Sequence, residues 1–465
     1  MQALIPQSGP LTSVQARHLL RRSGFGASVE AVAQLVGGEP AQVVRLLVQQ
    51  AIGQADPPAP EWAEALPPAG ADRTDIRDFL AASQPWLRQF QDSWSEYIPQ
   101  GGLRERMVLF WHDHFATRAQ AYGRSGSVAY RHVALLRHHA LGDFRALVRA
   151  VGLDPAMLLF LDGARSTGRQ PNENYGRELL ELFTMGIGHY SEGDIAEGAR
   201  ALTGYVVNYH TLEAEFVPTR FDAGEKIFLG QSGAWGYDDI VDIIFARRGL
   251  ETARFIVAKL YRHFVYEEPD EEVVEELAQL FVQRNFALAP VVEALLASAH
   301  FYQPHFIGAR IKSPVEFLCQ LYLGADRTPS AEEGLVRRLG QLGQELLNPP
   351  DVAGWPGHHQ WLTTTTLPLR WGAAETLIYN RRLARPDLVA LARRLPQPYD
   401  AEELTRDLVA HWLAVQPAQA EIETLTEALL GGIPAYEWDL DDEGAGTRLL
   451  GLFNVIARLP EYQLT

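Results

Sequence analysis

The chain has 465 residues, of which 47% are hydrophobic and 21% are charged, with a formal net charge of −17 at pH 7. This composition is typical of a globular protein with a large core. The sequence contains no run of about 18 apolar residues, so it predicts no transmembrane helix. The acidic balance argues against nucleic acid as a partner, because binding to phosphate backbones needs basic patches. The first residues do not resemble a secretory signal, which predicts a cytoplasmic location for the sequence as given.

The cysteine and lysine content is low. Cys319 is the single cysteine, which excludes internal disulfides and zinc sites built from several thiolates. Its apolar helical context predicts a small core residue. Of the 41 lysine and arginine residues only Lys226, Lys259 and Lys312 are lysines. These are positions where a compact ammonium group is expected to be preferred to a guanidinium fork.

Most of the chain has the hydrophobic periodicity of amphipathic helices. Apolar residues recur at spacings of three and four in residues 12–22, 28–36, 104–118, 132–141, 241–246, 251–265, 271–283, 290–301, 313–324, 373–384, 401–414, 421–432 and 447–459. The sequence therefore predicts a mainly α fold, with one large multi-helix domain over residues 1–465. Two helical lobes within it are the alternative arrangement.

Three segments break the helical pattern. Residues 56–71 are rich in proline and alanine and are predicted to form a linker or surface loop. Residues 205–230 carry short runs of β-branched and aromatic residues, which predict a small β-hairpin insertion. Residues 347–370 are rich in proline, glycine and threonine. Irregular loops of this length in a compact helical protein are usually functional or disordered.

The segment 171–204 predicts two sharply capped helices. Asn172 suits an N-cap and Gly186 suits the left-handed residue after a helix end, so the first helix is predicted over 173–185. Ser191 and Asp194 predict a capping box for the second helix, which Gly204 closes. The first helix carries adjoining rows of polar side chains at spacings of three and four, formed by Glu173, Asn174, Arg177, Glu178 and Glu181.

These polar rows allow two interpretations. They form either an exposed face held by ion pairs or a buried cluster with a chemical role. In the second interpretation Glu178 and Glu181 act as base or metal ligand, Arg177 clamps an anion, and Asn174 contacts substrate. No histidine follows Glu178 or Glu181 at the third position, so the di-iron motif of helical bundles is absent.

The run WHDHF, residues 111–115, places two histidines on one predicted helix. His112 and His114 lie roughly 200° apart around a regular helix, so they converge on one metal ion only if the helix ends or kinks. A histidine on an apolar face is more often a hydrogen-bonded core residue than a ligand. We nevertheless expect His114 to pair with Glu178 or Glu181, for acid–base chemistry or metal binding. A divalent metal held by His112, His114 and Glu178 is the candidate cofactor.

The long loop contains NPPDVAGWPGHHQW, residues 348–361. Asp351, Trp355 and Trp361 are candidate substrate-binding residues. The tryptophans either form an exposed stacking platform or anchor the loop to the helices, and the second interpretation is the commoner outcome. The adjacent His358 and His359 are predicted to be exposed.

Several ordered segments resemble a bacterial family catalogued as domain of unknown function 1800. They are LLRRSGFGAS (19–28), RERMVLFWHDHFATR (104–118), PNENYGRELLELFTMGIGHYSEGD (171–194), FDAGEKIFLG, IKSPVEF, NPPDVAGWPG with TTTLPLR, and LPEYQL. The resemblance extends over nearly the whole chain. It implies a shared fold and shared important segments, but it carries no established reaction.

The chain departs from that family in two respects. Many members carry export signals and are encoded beside a partner protein resembling the phosphatase superfamily, whereas this sequence shows no signal. Many also have a histidine where this chain has Phe183. If that histidine is catalytic in the family, its absence here predicts that this protein lacks the activity.

Two classes of function follow from the residues. The leading hypothesis is an α-helical enzyme or ligand-binding protein, with a polar pocket between the His114 and Glu178 helices beneath the Asp351–Trp355 loop. The alternative is a non-catalytic scaffold that binds a partner protein or polymer, with the same residues in a buried structural network. A cavity that reaches these groups distinguishes the two. A glycan hydrolase with paired carboxylates is a third option that no sequence feature selects.

Overall fold

The computed structural model describes residues 4–330, 333–379 and 384–465. It confirms the predicted mainly α fold. In the described residues the α-helices are α1 Ser13–Ser23, α2 Val29–Leu35, α3 Pro40–Gly53, α4 Arg73–Ala82, α5 Gln84–Tyr97, α6 Gly102–His114, α7 Gly126–His138, α8 Phe144–Gly152, α9 Pro155–Phe160, α10 Glu173–Glu178, α11 Glu192–Ala201, α12 Tyr237–Arg247, α13 Gly249–Phe264, α14 Glu271–Gln283, α15 Leu288–Ala297, α16 Pro314–Gly324, α17 Leu335–Gln341, α18 Thr366–Ala374, α19 Ala384–Arg393, α20 Ala401–Trp412, α21 Gln419–Leu430 and α22 Ala445–Ile456.

Short helical turns of other types connect these elements. The 3₁₀ turns are Ile98–Gln100, Ala119–Tyr122, Gly163–Arg165, Pro218–Arg220, Pro304–Phe306, His358–Trp361, Ala435–Glu437 and Pro460–Gln463. Two π-helical turns follow α10 and α18, at Leu179–Thr184 and Glu375–Tyr379.

The predicted β insertion forms two separate antiparallel hairpins. Strands β1 Tyr205–Asn208 and β2 Glu213–Phe216 pair with Tyr205 opposite Phe216. Strands β3 Lys226–Phe228 and β4 Gln231–Gly233 pair with Lys226 opposite Gly233. The insertion therefore ends three residues beyond the predicted boundary.

One hydrophobic cluster, from Leu11 to Tyr462, joins helices from both ends of the chain. Cys319 is buried within it, as predicted. Helix α6 crosses this core and is buried on nearly all sides, including its charged residues. The buried carboxylate of Glu105 accepts from Arg137 Nε at 2.5 Å and from the indole of Trp94 at 2.8 Å. Such pairing is what makes burial of charged groups tolerable.

The predicted first helix of the central segment changes type halfway. Asn172 caps α10 by accepting from the Asn174 N–H, and Gly186 has the expected positive φ of 75°. After Glu178, however, the chain widens into the π-helical turn, where the Thr184 hydroxyl donates to the Leu179 carbonyl at 2.5 Å. π-Helical turns inside helices occur often at functional sites.

The two segments predicted as loops differ in structure. Residues 56–71 contain neither helix nor strand. The 347–370 segment is less irregular than predicted, because α18 already begins at Thr366. The Thr363 hydroxyl accepts from the Thr366 N–H at 3.0 Å and so helps to start the helix. Among the helices the structure describes, none combines the length and apolarity needed to cross a membrane.

Candidate functional site

A cavity of about 290 Å³ lies between α6, α13, the start of α16 and the loop after residue 347. Helix α6 contributes Asp113 and His114 to its wall. Helix α13 contributes Lys259, Arg262 and His263. Arg106 of α6 lines the cavity as well. The polar and aromatic lining residues from other elements include Glu267, Arg310, Ser313, Glu316, Trp355, His358 and Trp361.

The loop is fixed to the end of α6 by a close backbone contact. The Trp355 N–H donates to Asp113 Oδ1 at 2.7 Å. The preceding residue is Gly354, with a φ of +89°, and a Cβ there would lie only 2.6 Å from the Asp113 carbonyl oxygen. Glycine is needed here for both its left-handed conformation and its small size.

His114 is held between two groups from distant parts of the chain. Its Nε2 lies 3.1 Å from the Phe183 carbonyl, which can only accept, so this nitrogen carries the proton. Its Nδ1 is therefore the acceptor for the Lys259 ammonium, at 3.1 Å. Burial lowers the pKa of His114 well below its usual value, and the nearby charge of Lys259 adds to this effect. The imidazole is accordingly neutral.

Lys259 occupies a partly desolvated position. Its ammonium also donates to the Leu182 carbonyl at 3.2 Å and lies 4.7 Å from the centre of the Phe255 ring. Burial lowers the pKa of Lys259 to about 8, although the charge of Asp113 opposes the shift. Burial also raises the pKa of Asp113 to about 6, against the hydrogen bond from Trp355. Both groups therefore titrate close to neutrality.

The π-helical turn explains why the central segment contributes to this site. The carbonyls of Leu182 and Phe183 accept from Lys259 and His114, respectively. Carbonyls at the end of a helix lack partners within the helix and attract cationic donors. The segment that the sequence singled out thus orients the site through its backbone.

Five basic side chains form a largely buried cluster against the cavity, which we call the cation cluster, and two of them, Arg106 and Arg310, line the cavity itself. Its members are Arg22, Arg106, Arg310, Lys312 and Arg370. Within the described part of the chain, Glu316 is the only carboxylate in a direct ion pair with this cluster, at 2.5 Å from Arg106 and 3.5 Å from Arg310. Burial alone would raise the pKa of Glu316, but Arg106 and Arg310 hold it well below its usual value.

The guanidinium groups of the cation cluster keep unused donors. Arg22 Nε and Nη1 and Arg106 Nε are buried without a hydrogen-bond partner among the described residues. Burial lowers the pKa of Arg310 to about 10, so this group is still charged at neutral pH. Burial also lowers the pKa of Lys312 well below its usual value, which favours its neutral form. The excess of positive charge next to the cavity therefore comes from the arginines.

The aromatic residues of the loop are both anchored and accessible to the cavity. Trp355 and Trp361 are buried and pack with Ile311 in a small separate cluster. Both also line the cavity. His359 is exposed, as predicted, but His358 is half-buried and lines the cavity, because the turn at Gly357 directs it inward.

His112 lies on the other side of α6 from His114. Its Nε2 accepts from the Leu347 N–H at 3.0 Å, and its ring packs against Trp94 and Trp355. Burial lowers the pKa of His112 to about 3. It fixes the start of the long loop.

The carboxylates of the central helix lie away from the cavity. Arg177 pairs with Glu192 at 2.8 Å and with Glu173 at 3.6 Å on the surface. Glu181 accepts from the Tyr190 hydroxyl at 2.9 Å and lines a neighbouring groove. Burial raises the pKa of the half-buried Glu178, and the charge of Glu181 adds to this shift. The structure joins His114 to this segment through the Phe183 carbonyl instead.

The other candidate residues have local roles in backbone geometry. Asn174 is exposed, and its N–H donates to the Asn172 side chain at 2.9 Å. Asp351 is exposed, and its carboxylate accepts from the Ala353 N–H at 2.8 Å. Asp351 thereby shapes the turn that leads to Gly354.

The described residues do not form a metal-binding site. Among them, no group of three or more His, Cys, Asp or Glu side chains is placed to hold a metal ion. His112, His114 and Glu178 do not form such a group. Both imidazoles face backbone partners on opposite sides of α6.

Sequence reasoning missed most of the charged wall. Arg106, Arg262, Arg310 and Glu316 were not candidates, because each lies in a helix or turn pattern with an ordinary structural explanation. Glu316, for example, completes a capping box with Ser313 at the start of α16. The rarity of lysine was the usable signal for Lys259.

Segments far apart in sequence supply this site. Phe25, His114, Glu316 and Trp355 come from four of the segments that carry the family resemblance, and all four residues line the cavity. The fold and the site together define a mainly α-helical protein with a cationic cavity beneath a loop that is hydrogen-bonded to α6. The chain belongs to the family described as protein of unknown function (DUF1800), whose match covers residues 18–464. No curated protein and no solved structure matches it significantly.

Proposed function

We propose that the protein binds a small anionic ligand, with a phosphate-like or carboxylate group, in the cavity between α6, α13 and the long loop. Arg106, Arg310 and Lys259 are the primary contacts, and Trp355 and Trp361 form the apolar wall. The observation that carries this proposal is the cation cluster, whose charge exceeds that of Glu316, its one ion-paired carboxylate among the described residues.

The physical argument rests on the free energy of burying charge. Arginine does not deprotonate in proteins, so burial of Arg22 and Arg106 cannot be relieved by neutralisation. Glu316 compensates one positive charge, and the donors of Arg22 and Arg106 stay partly unused. An anion in the adjacent cavity supplies both the missing charge and the missing acceptors.

The cavity also bears on the alternative of a structural scaffold. A scaffold needs a filled interior, whereas this site leaves a cavity of about 290 Å³ lined by charged groups. Apolar walls with a few convergent polar groups are typical of small-molecule sites. A scaffold role for the exposed ion pairs of Arg177 is compatible with this proposal.

A second candidate function is proton transfer to or from the bound ligand. Asp113 and Lys259 both line the cavity and both titrate near neutrality, which suits a general acid or base. His114 orients Lys259 through the hydrogen bond at Nδ1. In this scheme Lys259 exchanges the proton, and the arginines hold the ligand.

Isothermal titration calorimetry with inorganic phosphate tests the binding proposal. We expect saturable binding that weakens with added salt, because the contacts are ionic. Arg310→Gln removes one charge-assisted contact and should weaken binding roughly tenfold or more. Arg77→Gln is the matched control, since Arg77 is exposed and pairs only with its neighbour Asp78 among the described residues. Binding that is absent, or equally affected by both substitutions, would overturn the proposal.

A further inference from the structure

A second concavity of about 600 Å³ adjoins the proposed anion site. It lies between the π-helical turn and α13. Its apolar lining residues include Leu182, Met185, Ile187, Phe255, Ala258 and Val274. We call this concavity the apolar groove.

The apolar groove and the cavity share part of their walls. Lys259 and Ala353 line both of them. His114 and Leu182 accept from Lys259 at this junction, and among the described residues the third N–H of the ammonium has no further hydrogen-bond acceptor. A junction between a cationic cavity and an apolar groove is suited to a ligand with one anionic end and one apolar end.

The groove also displays an apolar side chain that the fold does not bury. Ile187 is 77% exposed, although isoleucine is among the residues most often found in cores. It lies between Gly186 and Gly188, which have φ angles of +75° and +95°. Both flanking residues adopt a left-handed conformation that glycine tolerates best, so the turn holds Ile187 outward at a defined place.

From this arrangement we infer that the ligand is an amphiphile: an anionic head group in the cavity carries an unbranched apolar extension that lies in the apolar groove. The inference rests on the proposed function, because the head group uses the same cationic wall. Charge complementarity fixes the head at Arg106 and Arg310, and the shared residues Lys259 and Ala353 set the direction of the extension. Leu182, Ile187 and Phe255 then cover the extension.

The chain length of a series of phosphate monoesters tests this inference. Inorganic phosphate, butyl phosphate and octyl phosphate share the head group and differ in apolar length. Calorimetric titrations with the full chain, below the micellar concentration of octyl phosphate, give the three affinities. We expect octyl phosphate to bind roughly tenfold or more tightly than butyl phosphate, because several methylenes leave water.

Two isoleucine variants assign the effect to the groove. Ile187→Ser should abolish most of the gain from chain length and leave the affinity for inorganic phosphate unchanged. Ile227→Ser is the matched control, because Ile227 is 60% exposed on β3 and lies outside the lining of both concavities. Both variants alter exposed side chains, so both are expected to fold.

The outcomes separate this inference from the proposal beneath it. If phosphate binding depends on Arg310 but octyl phosphate binds no more tightly than butyl phosphate, the inference of an amphiphilic ligand is wrong. The proposed anion site is then still supported. The same follows if Ile187→Ser and Ile227→Ser have equal effects. If none of the three phosphates binds in an Arg310-dependent manner, both proposals are wrong.

Discussion

The Lys259 ammonium donates to Nδ1 of His114 at 3.1 Å, across 145 positions of sequence. Because His114 Nε2 donates to the Phe183 carbonyl, the imidazole cannot turn to offer an N–H to the lysine. His114 therefore acts as a fixed acceptor that directs Lys259 toward the cavity. A protonated His114 would repel Lys259, and burial disfavours that form.

Anion binding should weaken at alkaline pH, because Lys259 loses its positive charge there. Its folded-state pKa of about 8 means that the ammonium is present at pH 7 and mostly lost at pH 9.5. The ratio of wild-type to Lys259→Met affinity for phosphate should therefore fall roughly three- to tenfold between these pH values, because the titrations of Arg310 and of phosphate itself affect both proteins alike. Lys259→Met should bind more weakly than the wild type at pH 7. Calorimetric titration at both values provides the measurement, and an unchanged pH dependence in the variant would exclude Lys259 as the titrating contact.

Asp113 should destabilise the folded protein as the pH rises. Its folded-state pKa of about 6 exceeds the ordinary value of 3.8, so the folded state binds the proton more tightly. Its contribution to stability therefore falls between about pH 4 and 6 and stays low above that range. Asp113→Asn keeps an acceptor for the Trp355 N–H but cannot ionise.

Relative to the wild type, the variant should gain about 2 kcal/mol of folding stability between pH 4.5 and 7.5. Urea unfolding of both proteins at the two pH values gives this double difference, in which unrelated titrations cancel. A constant difference between the two proteins would contradict the shifted pKa of Asp113.

The sequence predicted the fold more fully than the site, and the reason is physical. Helix periodicity and caps are local, so Asn172 and Gly186 were placed correctly, with their expected roles confirmed. The π-helical turn was missed because its widening depends on the Thr184 hydroxyl and on tertiary partners, which leave no periodic signal.

The candidate site was predictable only in part for the same reason. His114 and Trp355 line the cavity and stood out as chemically unusual residues in apolar or glycine-rich contexts. Arg106 and Arg310 look like ordinary helix and loop arginines until the fold brings them to Glu316. Convergence of residues hundreds of positions apart is a property of the tertiary structure, and no local pattern encodes it.

His112 should contribute to acid instability through its burial as a neutral group. Its folded-state pKa of about 3 lies below the ordinary value of 6.5, so the unfolded state binds a proton first as the pH falls. The contribution of His112 to the free energy of unfolding is complete above pH 6.5 and is lost as the pH falls toward 3. At pH 4.5 the loss should be about 2 to 3 kcal/mol.

Two substitutions separate the titration of His112 from its hydrogen bond. His112→Gln keeps an acceptor near the Nε2 position for the Leu347 N–H and should show a shallower loss of stability in acid than the wild type. His112→Leu leaves that N–H unpaired and should cost about 2 kcal/mol or more at pH 7.5. Unfolding free energies from urea titrations at pH 7.5 and 4.5 test both. Equal acid slopes for wild type and His112→Gln would contradict the assignment.

Gly354 should be the most sensitive position of the long loop. An added Cβ would lie 2.6 Å from the Asp113 carbonyl oxygen, and the φ of +89° strains any other residue. Gly354→Ala should therefore destabilise the protein by about 3 kcal/mol or displace the loop.

Gly343→Ala is the matched control, because Gly343 has a φ of +94° and no atom of the described residues lies within 4 Å of an added Cβ. It should cost only about 1 kcal/mol, from backbone strain. Because the displaced loop carries Trp355 and Trp361, phosphate binding should weaken in Gly354→Ala and stay unchanged in Gly343→Ala. Equal effects of the two substitutions on urea unfolding and on binding would show that contact with Asp113 does not hold the loop over the cavity.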